Sequence, residues 1–420
     1  MPALRSSTKP ECRTGIANSG FEGIFLRQFI YNRRLGRRTT SPPLLASDAL
    51  IVTKRSEVIV VGAGPAGIVA AIAARRHGLQ AIVLDARMPP IDKPCGEGIL
   101  PQGVAALRAL GISLPPEGAF PFRGIRFVDE EHSARADFAG AAGFAVRRIK
   151  LHQLLVNHAI EMGVEFRWGA RVTQIDKETV TTAKERLSYR WLIGADGQNS
   201  QVRKWAGLDP RTVRRKRFGF CSHFQVRPWS DVAEVHWARD CQIFITPMAG
   251  REVGVAVLSR DPGLRIVRAL SRFPILAEKL QGATQTTREL GDTTSLRILP
   301  TVARGRVALV GDASGTVDAV TGHGLSLSFQ QSIPLAEAMR IDDLAHYQHG
   351  HKNISAVPIT MTRLMLLMGG SDWIRRRTIR LFQKSPSLFA KLLAIHTEST
   401  PLSSIGVAEI AGFGWKFLRT

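Results

Sequence analysis

Ser56-Glu57-Val58-Ile59-Val60-Val61 runs into Gly62-Ala63-Gly64-Pro65-Ala66-Gly67, which runs into Ile68-Val69-Ala70-Ala71-Ile72-Ala73-Ala74-Arg75. The three pieces read as a buried strand, a glycine-rich turn and a helix, the order a dinucleotide site requires. Gly62 permits the tight turn, Gly64 lets the backbone approach a pyrophosphate, and Gly67 lets the helix pack closely on the strand. Pro65 and Ala66 complete the cofactor-binding turn, and the helix that follows points unsatisfied N–H groups and a partial positive charge at the phosphates. A second strand, Ala81-Ile82-Val83-Leu84, ends in Asp85, about twenty residues on, where a carboxylate can bind a ribose hydroxyl. A lone glycine fingerprint is weak. With the second strand and Asp85 it reads as a nucleotide-binding βαβ unit.

The chain has 420 residues, 44% of them hydrophobic, enough to bury a large core over two or three domains. No apolar run approaches the eighteen or so residues of a membrane span; the densest late cluster, Leu364-Met365-Leu366-Leu367-Met368, stops at Gly369-Gly370. Cys12, Cys95, Cys221 and Cys241 lie far apart without a C-x-x-C pair, which argues against a zinc site or disulfide framework and for a reducing, cytoplasmic location. The formal charge of +22 gathers in three clusters: Arg33, Arg34, Arg37 and Arg38; Arg211, Arg214, Arg215, Lys216 and Arg217; and Arg375, Arg376, Arg377 and Arg380. No nucleic-acid module accompanies them, so they read as solvated faces and no specific nucleic-acid partner is expected.

Residues 1–55 are rich in Arg, Ser, Thr, Gly and Pro and read as a disordered basic extension; a transit peptide and a misplaced start near Val52 are the alternatives. Phe21, Ile24, Phe25, Phe29 and Ile30 could form an amphipathic turn or two. Farther on, Phe122 to Phe138 alternates like a hairpin turning at Asp129-Glu130-Glu131-His132. A helix is predicted from Arg148 to Glu161 with Leu151, Leu154, Leu155 and Ala159 inside and Gly163 as its stop. Residues 217 to 259 read as successive strands, Arg306 to Val310 as a buried strand, and everything after about Ser326 as helical.

Two further stretches join the glycine turn. Gly194-Ala195-Asp196-Gly197-Gln198-Asn199-Ser200-Gln201-Val202-Arg203 resembles the Asp-Gly motif of flavoprotein hydroxylases, and Arg306-Val307-Ala308-Leu309-Val310-Gly311-Asp312-Ala313-Ser314-Gly315 resembles the Gly-Asp motif that closes their FAD site. In this order across residues 56–340 the set resembles the FAD-dependent monooxygenase and geranylgeranyl reductase superfamily. The resemblance implies that Asp312 accepts from a ribityl hydroxyl, that Gly311, Gly322 and Gly324 let backbone pass close to the cofactor, and that Asp196 links the cofactor to the approach of a pyridine nucleotide. A turn-capping carboxylate is the plainer reading of Asp196. Arg147 or Arg148 matches the arginine aimed at the FAD phosphates, the other being solvated. Lys93-Pro94-Cys95-Gly96-Glu97-Gly98 is similar to a loop of geranylgeranyl reductases, while His323 departs from the usual pattern. His323 as a proton donor and Cys95 as a redox or gating thiol are the catalytic candidates, each weighed against a polar lining residue and a small filler. No metal is expected: His346, His349 and His351 lack Cys or acidic partners.

The fold implied is α/β: a discontinuous Rossmann-like FAD-binding domain (56–118, 146–206, 291–340) with an inserted antiparallel β-sheet substrate domain (hairpin 119–145, sheet 207–290) and a helical C-terminal region (341–420). The activity implied is an FAD-dependent oxidoreductase whose flavin is reduced by transiently docked NAD(P)H and whose substrate is an apolar small molecule. Oxygen insertion and double-bond reduction of an isoprenoid-like chain are the two outcomes, with a non-catalytic basic binding protein as a distant third. Phe218, Phe220, Phe224, Trp237, Phe244 and Ile245 supply a candidate substrate wall, about half of it core by alternation. The tail (Ile374, Leu381, Phe382, Leu388, Phe389, Leu392, Leu393) is expected to pack on the FAD domain, peripheral membrane contact being the alternative.

Overall fold

The computed structural model describes residues 52–209, 216–404 and scattered positions between 406 and 419. The proposed N-terminal extension up to residue 51, the apolar turn at 21–30 and the arginines at 211, 214 and 215 lie outside the described residues.

The chain opens on β1 (Val52–Val61), which begins at Val52 rather than Ser56, followed by α1 (Pro65–Arg76) and β2 (Ala81–Asp85). Next come β3 (Gly98–Ile99), α2 (Pro101–Ala109), β4 (Ala119–Phe122), the hairpin of β5 (Gly124–Val128) and β6 (Ser133–Asp137), and β7 (Gly143–Val146). Helix α3 (Arg148–Glu161) occupies the predicted span, burying Leu151, Leu155, Val156 and Ala159. After it run β8 (Glu165–Trp168), β9 (Val172–Ile175), β10 (Thr179–Thr182), β11 (Arg186–Gly194) and the short α4 (Gln201–Trp205). Strands β12 (Arg217–Gln225), β13 (Ala233–Trp237), β14 (Cys241–Met248) and β15 (Glu252–Ser259) precede α5 (Ile266–Leu270) and α6 (Pro274–Lys279). Finally come β16 (Thr284–Gln285), β17 (Leu290–Thr294), β18 (Ala303–Arg304), β19 (Val307–Leu309), α7 (Gly324–Arg340), α8 (Leu344–Gly369), α9 (Asp372–Lys384) and α10 (Pro386–His396).

Strands from three separated stretches build one parallel layer, ordered β19-β11-β1-β2-β8. Its strands read as unbroken apolar runs because helices cover both faces; Val58, Ile59 and Val60 are wholly buried, as are Ile68, Val69 and Ile72 of α1. Five strands, β12 to β15 with β5, anchor the second sheet, ordered β16-β12-β15-β14-β13-β5-β6, and β17 adds to β12. The pairing of Arg217 with Thr294 carries this sheet past residue 290.

That second sheet is buried on both faces. Alternate residues Ile243, Ile245, Val255 and Val257 face a core shared with Leu264, Ile266 and Leu276 around α5 and α6. The opposite face, with Phe127, Val235, Trp237 and Leu258, meets α9 and α10. Phe382 and Phe389 stack at 4.5 Å and both lie against Phe127, at 6.3 and 5.1 Å. The helical tail therefore packs chiefly on the antiparallel sheet, where the sequence reading had placed it on the nucleotide domain. Helical periodicity shows which face of α9 is apolar but carries no information about its partner. Among the described residues no single helix is long and apolar enough to cross a membrane.

Candidate active site

At the carboxyl edge of the parallel sheet, where open α/β folds hold ligands, a cavity of about 810 Å³ extends to the antiparallel sheet and α8–α10. This is near the top of the usual range of small-molecule sites, roughly 300–1,000 Å³. Gly62, Gly64, Pro65, Ala66 and Asp85 line it, together with Asp196, Gly197, Gly311, Asp312, Gly322 and Gly324. Three motifs separated by more than a hundred residues of chain thus surround one space.

Steric contacts explain the glycine turn. A Cβ on Gly62 would stand 2.4 Å from the Ala195 carbonyl oxygen, and one on Gly67 would stand 1.9 Å from the Gly62 carbonyl oxygen. Both positions exclude a side chain because the second motif and the turn itself press against them. Gly64 is different: its Cβ would project toward the Arg148 guanidinium, 4.0 Å from Nη2, filling the space in front of the helix. Gly64 caps α1 without a side-chain hydrogen bond, Pro65 sits in the first turn, and no acidic residue neutralises it. The first N–H groups of α1 are left for an anion.

Of the two candidate arginines, Arg148 lines the cavity and Arg147 does not. Arg148 is 6% exposed, its Nη1 has no hydrogen-bond partner, and burial pulls its pKa down from the ordinary arginine value. Arg147 turns away to Glu252 Oε2, 2.6 Å distant, so it is an ion-paired tether to β15 and not the solvated residue expected. Arg148 is the first helical residue of α3 and Arg147 is its cap, in non-helical backbone. That change of conformation sends adjacent side chains opposite ways. Glu97 fixes the choice by accepting the Arg148 backbone N–H at 2.6 Å.

The three motif carboxylates differ. Asp85 Oδ2 accepts the Ala63 N–H at 2.8 Å and its Oδ1 accepts the Arg87 N–H, so it holds the glycine turn from beneath. Asp196 Oδ1 accepts from Ser200 Oγ at 2.5 Å and Oδ2 accepts the Gln201 N–H at 2.7 Å, the capping geometry of the plainer reading. Asp312 lines the cavity with its side chain exposed to that space, and desolvation by the surrounding walls raises its pKa against the opposing charge of Lys93. Arg203, given no role from sequence, joins the second and third motifs: Nη2 donates to the Gln198 carbonyl at 2.8 Å and Nη1 to the Ala313 carbonyl at 3.1 Å. Its signal was its place eight residues after Ala195 inside a quoted motif.

The catalytic candidates fare unequally. His323 is wholly buried and does not line the cavity; its Nε2 donates to the His396 carbonyl at 2.9 Å and burial lowers its pKa to about 4. It packs α7 on α10 as a neutral ring, which corrects its expected place as a proton donor. Cys95 does line the cavity, but burial pushes its thiol up to about 11, and Cys221 nearby reaches about 12 for the same reason. Of the expected aromatic wall, Phe220 and Phe244 line the cavity, whereas Phe218, Phe224 and Ile245 face the α5–α6 core and Trp237 is buried under the tail. His351, in the late histidine group, meets Ser314 Oγ at 2.9 Å.

An FAD molecule fits this donor set. The buried, unpartnered Arg148 Nη1 and the uncapped N-terminus of α1 match a pyrophosphate, and the Gly64 cradle is the space a Cβ would fill. A family model described as an FAD binding domain matches residues 55–342. Menaquinone reductase of Mycobacterium tuberculosis is 28% identical over 330 residues, covering 70% of this chain and 79% of that protein. The 12-dehydrotetracycline 5-monooxygenase/anhydrotetracycline 6-monooxygenase of Streptomyces rimosus is 26% identical over 334 residues, covering 67% of this chain and 62% of its own. The fold is also that of a geranylgeranyl bacteriochlorophyll reductase-like protein from Thermoplasma acidophilum, with TM-score 0.64 and 19% identity over 86% of this chain and 95% of that one. With the family match spanning more than half of its length, the chain belongs to the FAD binding domain family and is an FAD-dependent oxidoreductase.

Proposed function

We propose that the protein reduces a carbon–carbon double bond of an apolar, isoprenoid-like substrate, with NAD(P)H as the hydride source. The observation that carries this reading is the two-ended cavity. One end holds the glycine turn, Arg148 and Asp312; the other is walled by Phe122, Ile125, Phe127, Val235, Phe244, Met361, Met365 and Met368. Unbranched methionines and aromatic edges suit a flexible hydrocarbon. The relative named menaquinone reductase and the geranylgeranyl reductase-like fold support it, as does the Lys93–Gly98 loop.

In this reading Arg148 and the N-terminus of α1 bind the FAD pyrophosphate, Asp85 steadies the turn and meets the ribose, and Asp312 accepts from the ribityl chain. The N-terminus of α7, at Gly324, faces the ring end and favours negative charge there. Bound FAD supplies two-electron transfer between nicotinamide and substrate. A single glycine fingerprint leaves the nicotinamide to dock transiently. Asp196 acts through its cap, holding the loop past which the nicotinamide approaches. Cys95 stays a protonated lining residue. A cytoplasmic enzyme drawing substrate from a membrane surface fits the exposed Leu367 and Trp373 beside Arg376 and Arg380, and co-sedimentation with anionic liposomes tests that extension.

Oxygen insertion is the second reading, favoured by the 26% identity with a tetracycline monooxygenase. The two are separated by bleaching the purified yellow protein with NAD(P)H under argon and adding a prenyl quinone. A product two mass units heavier that keeps the gain after the quinol ring has been reoxidised in air supports double-bond reduction. Oxygen consumption coupled to a product sixteen mass units heavier, with no anaerobic product, overturns it.

A further inference from the structure

Glu97 has more to explain than the helix end it caps. It is 5% exposed, lines the cavity, and adopts φ +60°, a left-handed conformation that a residue other than glycine adopts only when its surroundings impose it. Its Oε2 lies 2.6 Å from His223 Nε2, and His223 Nδ1 lies 2.9 Å from Thr287 Oγ1. His223 is 7% exposed, whereas Thr287 is half-buried between the exposed Thr286 and Arg288. A line of exchangeable protons therefore runs from the cavity wall through His223 of β12 to the hydroxyl of Thr287, a half-buried residue flanked by exposed ones. Arg147, whose Nε is 4.0 Å from Glu97 Oε1, Glu252 beside it, and Arg148 are charges flanking the line.

We propose that Glu97 is the acid that delivers a proton to the substrate, recharged from solvent through His223 and Thr287. The inference rests on the reductive reading of the site, in which every hydride added to a double bond must be matched by one proton. In the step, the Glu97 O–H bond breaks as the new C–H bond forms on the substrate. The carboxylate takes a proton from His223 Nε2, His223 Nδ1 takes one from the Thr287 hydroxyl, and that oxygen takes one from water. One proton crosses the wall and no electron moves along the line.

The competing explanation is that Glu97 only caps α3 and His223 only packs. E97Q keeps the shape and an acceptor but holds no transferable acid proton; T287V cuts the line two residues away from the cavity, and T287S restores the hydroxyl. Variants with full FAD content are compared under argon. Removing a general acid typically costs a factor of roughly 10² to 10⁴ in rate, so E97Q should lose that much kcat with little change in KM. T287V should lose about tenfold by the same reasoning with a larger solvent deuterium isotope effect, and T287S should recover both. In FAD-free protein carrying labelled histidine, a strongly deshielded proton between Glu97 and His223 should be visible by NMR and vanish in E97Q. Its absence from the wild type, or unchanged kcat and isotope effect in both E97Q and T287V, overturns the proposal. A wild type that bleaches yet reduces no prenyl substrate sinks the reductive reading instead, and the NMR signal then still decides whether the line exists.

Discussion

Arg148→Met should act in opposite directions on the two forms of this protein. In the FAD-free form the guanidinium is 6% exposed with Nη1 unpartnered, and burial disfavours its charge. A buried polar group without a partner costs about 1–3 kcal/mol, more when it is ionised. Methionine keeps much of the aliphatic bulk and removes that cost, so FAD-free Arg148→Met should be more stable by about 1–3 kcal/mol. The holoprotein would lose the charge-assisted hydrogen bonds proposed between Arg148 and the pyrophosphate, worth about 1.5–3 kcal/mol. At 1.4 kcal/mol per tenfold, FAD should bind roughly ten- to 150-fold more weakly. Arg148→Lys, which keeps a charge but not the planar fork, should fall between. Thermal unfolding of deflavinated protein with and without FAD, paired with a fluorescence titration, reads both quantities. A lower FAD-free Tm together with an unchanged Kd would refute the reasoning and make Arg148 a structural residue.

His152 and His323 are buried and His351 is half-buried, and desolvation lowers each pKa to about 4 from 6.5. The unfolded chain takes up protons that the folded one refuses, so stability is full above pH 6.5 and falls until about pH 4, by up to ~3 kcal/mol per histidine; a urea midpoint that stays flat from pH 7 to 5 contradicts this. Asp318→Asn strands Arg217, which sits 2.7 Å from the Asp318 carboxylate with both side chains under a tenth exposed, and should cost about 3–5 kcal/mol in denaturant unfolding. Replacing both partners by apolar residues should cost less than either single change. Cys95, with its thiol pushed up to about 11, should alkylate slowly at neutral pH and accelerate only as the pH approaches that value; rapid iodoacetamide labelling at pH 7 would return it to the redox candidates. Gly64→Val fills the space before Arg148 and should purify colourless; full flavin absorbance would show that the pyrophosphate lies elsewhere.

What could be read from the chain was what local geometry dictates. The glycine turn, the strands around it and the span of α3 follow from sterics and periodicity within a few residues, and they stand as expected. What could not be read depends on the rotation of a side chain about an element whose partner is distant in sequence. Arg147 and Arg148 are chemically identical, and only the non-helical cap before α3 separates tether from cavity wall. His323 follows the same logic: it caps α7, yet its ring turns to His396 on a helix more than seventy residues away. The Glu97–His223 contact spans 126 residues and has no local signature at all.

The motif acids sharpen the point. Asp85 spends its carboxylate oxygens on backbone N–H groups, and Asp196 spends its own on the Ser200 hydroxyl and the Gln201 N–H, so both shape their loops before any ligand arrives. Among the described residues no side chain or amide bonds Asp312, which is exposed to the cavity it shares with the buried, unpartnered Arg148 Nη1. A buried charge such as Arg148 is tolerated only where something repays its desolvation, whereas the Asp312 carboxylate stands open toward the same cavity. The two groups whose partners the fold withholds are therefore the ones a charged, hydroxyl-bearing dinucleotide would complete, Arg148 at its phosphates and Asp312 at its sugar-alcohol chain. Sequence motifs mark all of these residues alike. Only their hydrogen bonds divide those that build the cradle from those that wait on its contents.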